Sequence, residues 1–195
     1  HGLSTGLVAT ALRATGRWPV LLSLVNGAVR DAVAGGGDPA GELREVVDGL
    51  RRDGITVLDV ADPAERGLAV AATIEVGLRR LTAGERDRYM ELAVFGEDVA
   101  IPGDVIARFW AHTGGMSRFA ARRLCQRLFD LSLLAGYRRD PDLITLHDVS
   151  RRYLREQTTS RRADLDAAIV DAHRDLSTPD QCLGRAWADV PGEYG

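Results

Sequence analysis

The sequence predicts a mainly α-helical chain: a helical bundle, then a second helical unit that ends in a small β-hairpin, then a linker helix. Three observations carry this. Apolar residues recur at helical spacing through most of the 195 residues. Proline opens several of these runs, at positions 19, 39 and 102, and glycine closes others, at 16 and at 35 to 37. Only two short runs, Leu131 to Tyr137 and Leu143 to Leu146, read as strands, and the polar turn Arg138 to Asp142 separates them.

The first unit spans residues 1–80. Thr5 to Ala14 carries Leu7, Val8, Ala11 and Leu12 on one helical stripe, and Gly16 ends it. Pro19 starts a second helix, since its ring already holds the φ of a first helical turn. That helix runs to Ala34, where three glycines break it. Pro39 starts a third, with Leu43, Val46, Val47 and Leu50 on one face. A turn-rich segment from Asp53 to Pro63 leads to a fourth helix, Ala64 to Leu81, with Leu68, Ala71, Ala72, Val76 and Leu78 inward.

The second unit spans residues 81–158. Thr82 and Glu85 form a capping-box pattern, in which side chain and backbone satisfy each other's free N–H groups. The helix behind them carries Tyr89, Leu92, Ala93 and Phe95. Pro102 opens another, with Val105, Ile106, Phe109 and Trp110. Ser117 is a suitable N-cap for a third, whose apolar face is Ala120, Leu124, Leu128 and Leu131. Three helices and then a β-hairpin is the order of a winged helix. A further helix starts at Asp148 with Val149, Tyr153 and Leu154 apolar. Residues 159–195 are a linker: a helix from Arg161 to Leu176, an end at Thr178-Pro179, and a tail with Trp187 and Tyr194 but no closing element.

Composition narrows the function classes. Hydrophobic residues make up 45% and charged residues 27%, ordinary values for a globular protein. A net charge of −3 argues against bulk attraction to nucleic acid or an anionic membrane. Apolar runs such as Val20 to Leu22 are too short to span a bilayer. Leu3 to Leu12 lacks the basic start and cleavage site of a signal peptide. Cys125 and Cys182 are isolated and form no zinc-type cluster, which fits a reduced, cytoplasmic setting. All 25 basic residues are arginine, so these residues hold neither a phosphate-loop lysine nor a Schiff-base lysine.

Three constellations are candidates for chemistry. His147-Asp148 stands where a strand meets a helix; a helix start offers free N–H groups to an anion, and an imidazole beside it can hold a phosphate. The same pair also serves simply to end the strand and, through Asp148 as N-cap, to start the helix. In Gly16-Arg17-Trp18-Pro19 the proline ring and its neighbours offer an apolar wall to a flat ligand ring, or the turn only joins two helices and buries Trp18. Arg118, Arg122, Arg123 and Arg127 line the polar side of the third helix of the winged-helix order. They are either a solvated face or a set of phosphate contacts. There is no GxSxG, no HExxH and no paired-carboxylate signature. The histidines at 1, 112, 147 and 173 lack metal-ligand spacing.

Four segments together resemble the C-terminal part of an NB-ARC module, the nucleotide switch of STAND-type signalling ATPases, in its actinobacterial form. Gly16 to Gly27 (GRWPVLLSLVNG) resembles the family's Gly-Leu-Pro-Leu-Ala-Leu helix start. Tyr89 to Phe95 (YMELAVF), followed by Ile101-Pro102, resembles its entry into the winged helix. Leu128 to Leu134 (LFDLSLL) resembles its Leu-Ser-Leu-Leu strand, and Leu146-His147-Asp148 its Met-His-Asp motif with Leu for Met. The likeness covers roughly residues 5 to 160. It departs at Arg17, where the family often has glycine.

The resemblance implies an ARC-type helical subdomain followed by a winged helix. It implies that Pro19 stacks near adenine, that His147 contacts the β-phosphate of ADP and that Asp148 supports that geometry. ADP or ATP, with Mg, would be held mostly by an upstream phosphate-loop domain, so this chain is not itself an enzyme, although the longer protein would be a slow ATPase. Beyond Arg161 the likeness is to a linker towards a downstream repeat sensor domain, with homo-oligomerisation on activation. The readings from other classes are a winged-helix DNA-binding regulator and a plain protein–protein interaction module.

Overall fold

The computed structural model describes residues 3–52, 63–96 and 99–174. The expected turn segment from Asp53 and the tail with Thr178-Pro179, Cys182, Trp187 and Tyr194 lie outside the described residues. Those described form a mainly helical protein with a small antiparallel sheet.

The first helices begin and end where local chemistry directs. Helix α1 (Thr5–Ala14) is capped by Ser4, whose hydroxyl accepts the Leu7 N–H at 3.3 Å. It closes through two consecutive left-handed residues, Gly16 (φ 55°) and Arg17 (φ 56°). Helix α2 (Pro19–Ala34) follows, with proline at its first position and Trp18 as N-cap. Helix α3 (Pro39–Arg52) is capped by Asp38, which accepts the Gly41 N–H at 2.8 Å. Its inward face is Leu43, Val46, Val47 and Leu50, as the spacing predicts.

Helix α4 (Pro63–Leu78) ends three residues before the expected Leu81; of its expected inward face Ala72 and Leu78 are buried, Ala71 and Val76 pack half-buried against the core, and Leu68 alone departs. Leu68 is 59% exposed, whereas Ala69, Val70, Thr73 and Ile74 are buried. Packing against α2, α3 and the later helix α8 selects the stripe, and small residues let α4 sit close to them.

Helix α5 (Ala83–Glu91) has both halves of the capping box: Thr82 Oγ1 accepts the Glu85 N–H at 3.3 Å and Glu85 Oε2 accepts the Thr82 N–H at 2.8 Å. A 3-10 turn, Leu92–Val94, carries the chain on. Pro102 does not open the next helix from within. Ile101–Pro102 is a short strand, β1, and helix α6 (Gly103–Gly114) starts behind it. Gly115, at φ 62°, ends α6 in the left-handed conformation that glycine adopts without cost. Ser117 caps helix α7 (Arg118–Asp130), accepting the Ala120 N–H at 3.2 Å.

The expected hairpin is a three-stranded sheet. Strands β2 (Gly136–Arg139) and β3 (Asp142–Thr145) pair antiparallel, and β1 adds to the other side of β3, Ile101 opposite Ile144. The first strand is five residues later than the expected start at Leu131. Leu131 is the C-cap of α7, and Ser132 takes a left-handed φ of 59°. Leu131, Leu133 and Leu134 are buried without joining a ladder. A run of leucines here reads as a strand because both a strand and a buried turn call for continuous apolar residues.

Helix α8 (Asp148–Gln157) leads through a 3-10 turn, Thr159–Arg161, to helix α9 (Arg162–His173), which starts one residue after the expected Arg161; the expected end at Leu176 lies outside the described residues. Helix α9 packs along α6 rather than projecting away. Leu165 is buried, and Arg162 Nη1 donates to the Ala93 carbonyl at 2.8 Å. One apolar cluster runs from Leu21 and Leu50 through Ile74 and Tyr89 to Trp110, Leu128 and Leu154. Removing Trp110 or Phe109 from it costs about 3–5 kcal/mol. No helix among the described residues is long and apolar enough to cross a membrane.

Candidate functional site

Strand β3 and helix α8 fix the position of His147. Ile144 and Leu146 are buried, so the chain enters the junction anchored on both sides of Thr145. His147, not Asp148, is the N-cap of α8, at φ −68° and ψ 141°; Asp148 is the first helical residue. The reason is that the His147 carbonyl already accepts the first helical bond, from Arg151 N–H at 2.9 Å. The His147 side chain makes no capping bond to this helix start, and no other side chain among the described residues does so. Ser4, Thr82 and Ser117 each place a hydroxyl on the first turn of their helix. At α8 the position that would hold such a residue holds an imidazole, and the first-turn N–H groups are left for another acceptor.

His147 is half-buried. Burial holds its imidazole below the ordinary value, with the Asp148 carboxylate acting the other way. The ring is therefore largely neutral near pH 7, able to donate from one nitrogen and accept at the other. An approaching phosphate would raise its proton affinity.

Sequence reasoning missed Arg151. Its side chain is 2% exposed, and neither Nε nor Nη1 has a hydrogen-bond partner among the described residues. Nη1 stands 3.8 Å from Asp148 Oδ1, so the guanidinium reaches back along α8 to the first turn. Asp148 itself is 82% exposed. A buried positive charge with so loose a partner is costly, by several kcal/mol, unless something else completes its coordination. The burial of Ser150, Tyr153 and Leu154 marks the inward stripe of α8, and Arg151 falls within that stripe while Arg152 falls outside it. The helical period alone could have singled out Arg151 from the Arg151-Arg152 pair.

The turn before α2 comes to the same helix. Trp18 and Val149 are both half-buried against the core. Together with Gly67, Val70, Arg152, Tyr153 and Glu156 they line a cleft of about 160 Å³. Pro19 is exposed at the first position of α2. The structure thus brings the residue before Pro19 and the residue after Asp148 to one cleft, while Pro19, His147 and Asp148 do not line it. Small-molecule sites typically occupy about 300–1,000 Å³. This cleft has room for one ring and not for a nucleotide.

The other candidates stand elsewhere. Arg118, Arg122 and Arg123 are exposed on α7, and Arg127 is half-buried. Arg122 pairs with Asp142 at 2.9 Å, and Arg127 with Glu85 at 3.2 Å while also donating to the Arg80 carbonyl. His112 is exposed in the last turn of α6, and His173 bonds the Ile169 carbonyl at 2.9 Å at the end of α9. Cys125 is buried, its thiol pushed up to about 12 by burial, and is chemically quiet. Among the described residues no group of acidic, histidine or cysteine side chains could hold a metal ion.

No protein-family model matches this chain, and no curated protein matches it in sequence.

Proposed function

We propose that this chain is the regulatory part of an ADP/ATP-dependent signalling switch of the NB-ARC type, made of an ARC-like helical unit, a winged-helix unit and a linker. The observation that carries this reading is the corner at the start of α8. An uncapped helix N-terminus, a neutral imidazole at His147 and the buried, incompletely bonded guanidinium of Arg151 stand within one helical turn. All three are complementary to a phosphate group. The order α5, β1, α6, α7, β2, β3 supports the winged-helix part, with β2 and β3 as the wing.

In this reading ADP, and in exchange ATP with Mg, sits mainly on an upstream phosphate-loop domain. His147 and the α8 amides close on the β-phosphate, and Arg151 completes the charge. Asp148 holds Arg151 and tunes His147. Trp18 and Pro19 lie towards the base. The chain performs no chemistry of its own; it holds the inactive state closed, and exchange of nucleotide releases it to oligomerise under control of a downstream repeat sensor. Nucleotide drives the change only through different affinity for the two states. The setting is cytoplasmic.

The test is a comparison. Calorimetry on the chain alone should give weak or no ADP binding, since most of the phosphate contacts lie on the other domain. The polypeptide carrying that domain should bind ADP tightly as a monomer and assemble with ATP, as read by light scattering. Micromolar ADP binding by the chain alone, or an assembly state indifferent to nucleotide, contradicts the reading.

The DNA-binding reading rests on the arginines of α7. It is weakened because Arg122 and Arg127 are already neutralised by Asp142 and Glu85.

A further inference from the structure

A second surface lies on α7, built from residues that the nucleotide corner does not use. Phe119 is in the first turn of α7 and is 72% exposed, the most exposed of the large apolar side chains among the described residues. It stands between two concavities. One, of about 420 Å³, reaches Tyr137 and Arg139 on strand β2; the other, of about 350 Å³, reaches Met116 and Leu124. Phe119, Arg123 and Arg127 line both. Phe119 and Arg123 are four residues apart and therefore neighbours on one helix face.

The charges decide what fits. Arg122 and Arg127 are paired with Asp142 and Glu85, and Arg139 donates to Gln126 at 3.0 Å. Arg123 has no carboxylate partner among the described residues, although it stands at the junction of the two concavities. A duplex nucleic acid presents a charge about every 1.7 Å, and here it would meet Glu85, Asp130 and Asp142 as well as the arginines. An extended polyanion is a poor match. A short segment with one bulky apolar side chain and a nearby carboxylate is a good one, because it covers Phe119 and pairs Arg123 without facing the acids.

We propose that the α7 face around Phe119 and Arg123 is the docking surface for an acidic, apolar-anchored peptide segment of a partner protein. The anchor packs on Phe119 between the concavities, and its carboxylate pairs with Arg123. Aromatic and arginine side chains are the ones that most often dominate such contacts.

The experiment is selection of a displayed random dodecapeptide library on the 195-residue chain, run in parallel on Phe119→Ala and Arg123→Glu, both exposed and checked for fold by circular dichroism. The expected result is a consensus that joins a bulky apolar residue to aspartate or glutamate. The synthetic consensus peptide should lose about tenfold or more in affinity with either variant, the loss typical of an interface anchor, and little with Arg123→Lys. A consensus that is basic or uncharged, the absence of any consensus that depends on Phe119 and Arg123, or tighter binding of a labelled DNA duplex at moderate salt lost with the same variants would overturn the proposal.

Discussion

The hydroxyl of Tyr153 on α8 donates a hydrogen bond to the carboxylate of Glu75 on α4, joining residues 78 apart in the sequence. Arg86 on α5 holds the same carboxylate through Nη2, at 3.1 and 3.0 Å. Three helices from both halves of the chain thus meet on one acid. Burial and the Glu75 carboxylate push the Tyr153 phenol well above its ordinary value, so it stays a donor at every working pH. The helix that carries His147 at its start is fixed to the helical bundle at Tyr153.

Tyr153→Phe removes the donor and keeps the ring. Because Glu75 retains Arg86 and is about a third exposed, the expected loss is about 1–2 kcal/mol in unfolding free energy. Thermal or urea unfolding reads it. A variant as stable as the parent would show that α8 is held by apolar packing alone.

Gly27 marks where α2 meets the end of α7. A methyl group there would lie 2.5 Å from the carbonyl carbon and oxygen of Leu131, which are backbone atoms that cannot turn aside. Gly27→Ala should destabilise by about 1–3 kcal/mol. Gly6→Ala is the control: nothing lies within 4 Å of its methyl position on exposed α1, so the better helix former should stabilise by about 0.5–1 kcal/mol. Denaturant midpoints of the two variants should move in opposite directions.

The helix starts were legible because their signals are local. Pro19, Pro39, Thr82 with Glu85, and Ser117 each fix a boundary by their own chemistry, and the structure keeps each boundary there. What was not legible depends on distant neighbours. Ile101–Pro102 is a strand only because Ile144 and Leu143 of β3 lie opposite. Leu68 faces outward because the neighbouring stripe of Ala69, Val70, Thr73 and Ile74 is the one that packs against the helices around α4. The turn at Ser132 hides inside a leucine run. At the candidate site, His147-Asp148 stood out by its place between a strand and a helix. Arg151 lies on the stripe that Tyr153 and Leu154 mark, so helical spacing points to its burial; that Nε and Nη1 stay unbonded there does not follow from spacing.

His147 gives a prediction with a definite sign. Its proton affinity is lowered by burial, so its midpoint lies below the ordinary 6.5. The folded state takes up this proton less readily than the unfolded chain, so this contribution to stability is intact above about 6.5 and is lost as pH falls through the lower, folded midpoint. Asp148→Asn removes the carboxylate that pulls the midpoint up and should lower it further. Ring-proton NMR against pH reads both; a midpoint at or above 6.5 in the parent, or a rise in Asp148→Asn, contradicts the assignment.

Arg151→Met separates stability from function. The guanidinium is buried with Nε and Nη1 unbonded. Replacing a poorly compensated buried charge by an apolar side chain of similar length is expected to leave stability unchanged or to raise it, by up to about 1–4 kcal/mol. Under the proposed function, the same change should weaken nucleotide retention in a longer polypeptide that joins this chain to a phosphate-loop domain. Unfolding free energy and ADP retention moving down together would instead assign Arg151 a purely structural role.

The most direct test of the phosphate corner is the dissociation rate of fluorescent ADP from that longer polypeptide, wild type against His147→Ala, by stopped flow with excess unlabelled nucleotide. Loss of one charge-assisted hydrogen bond, about 1.5–3 kcal/mol, predicts release faster by about ten- to a hundredfold and a shift towards the assembled state. An unchanged ADP dissociation rate in His147→Ala would contradict the account.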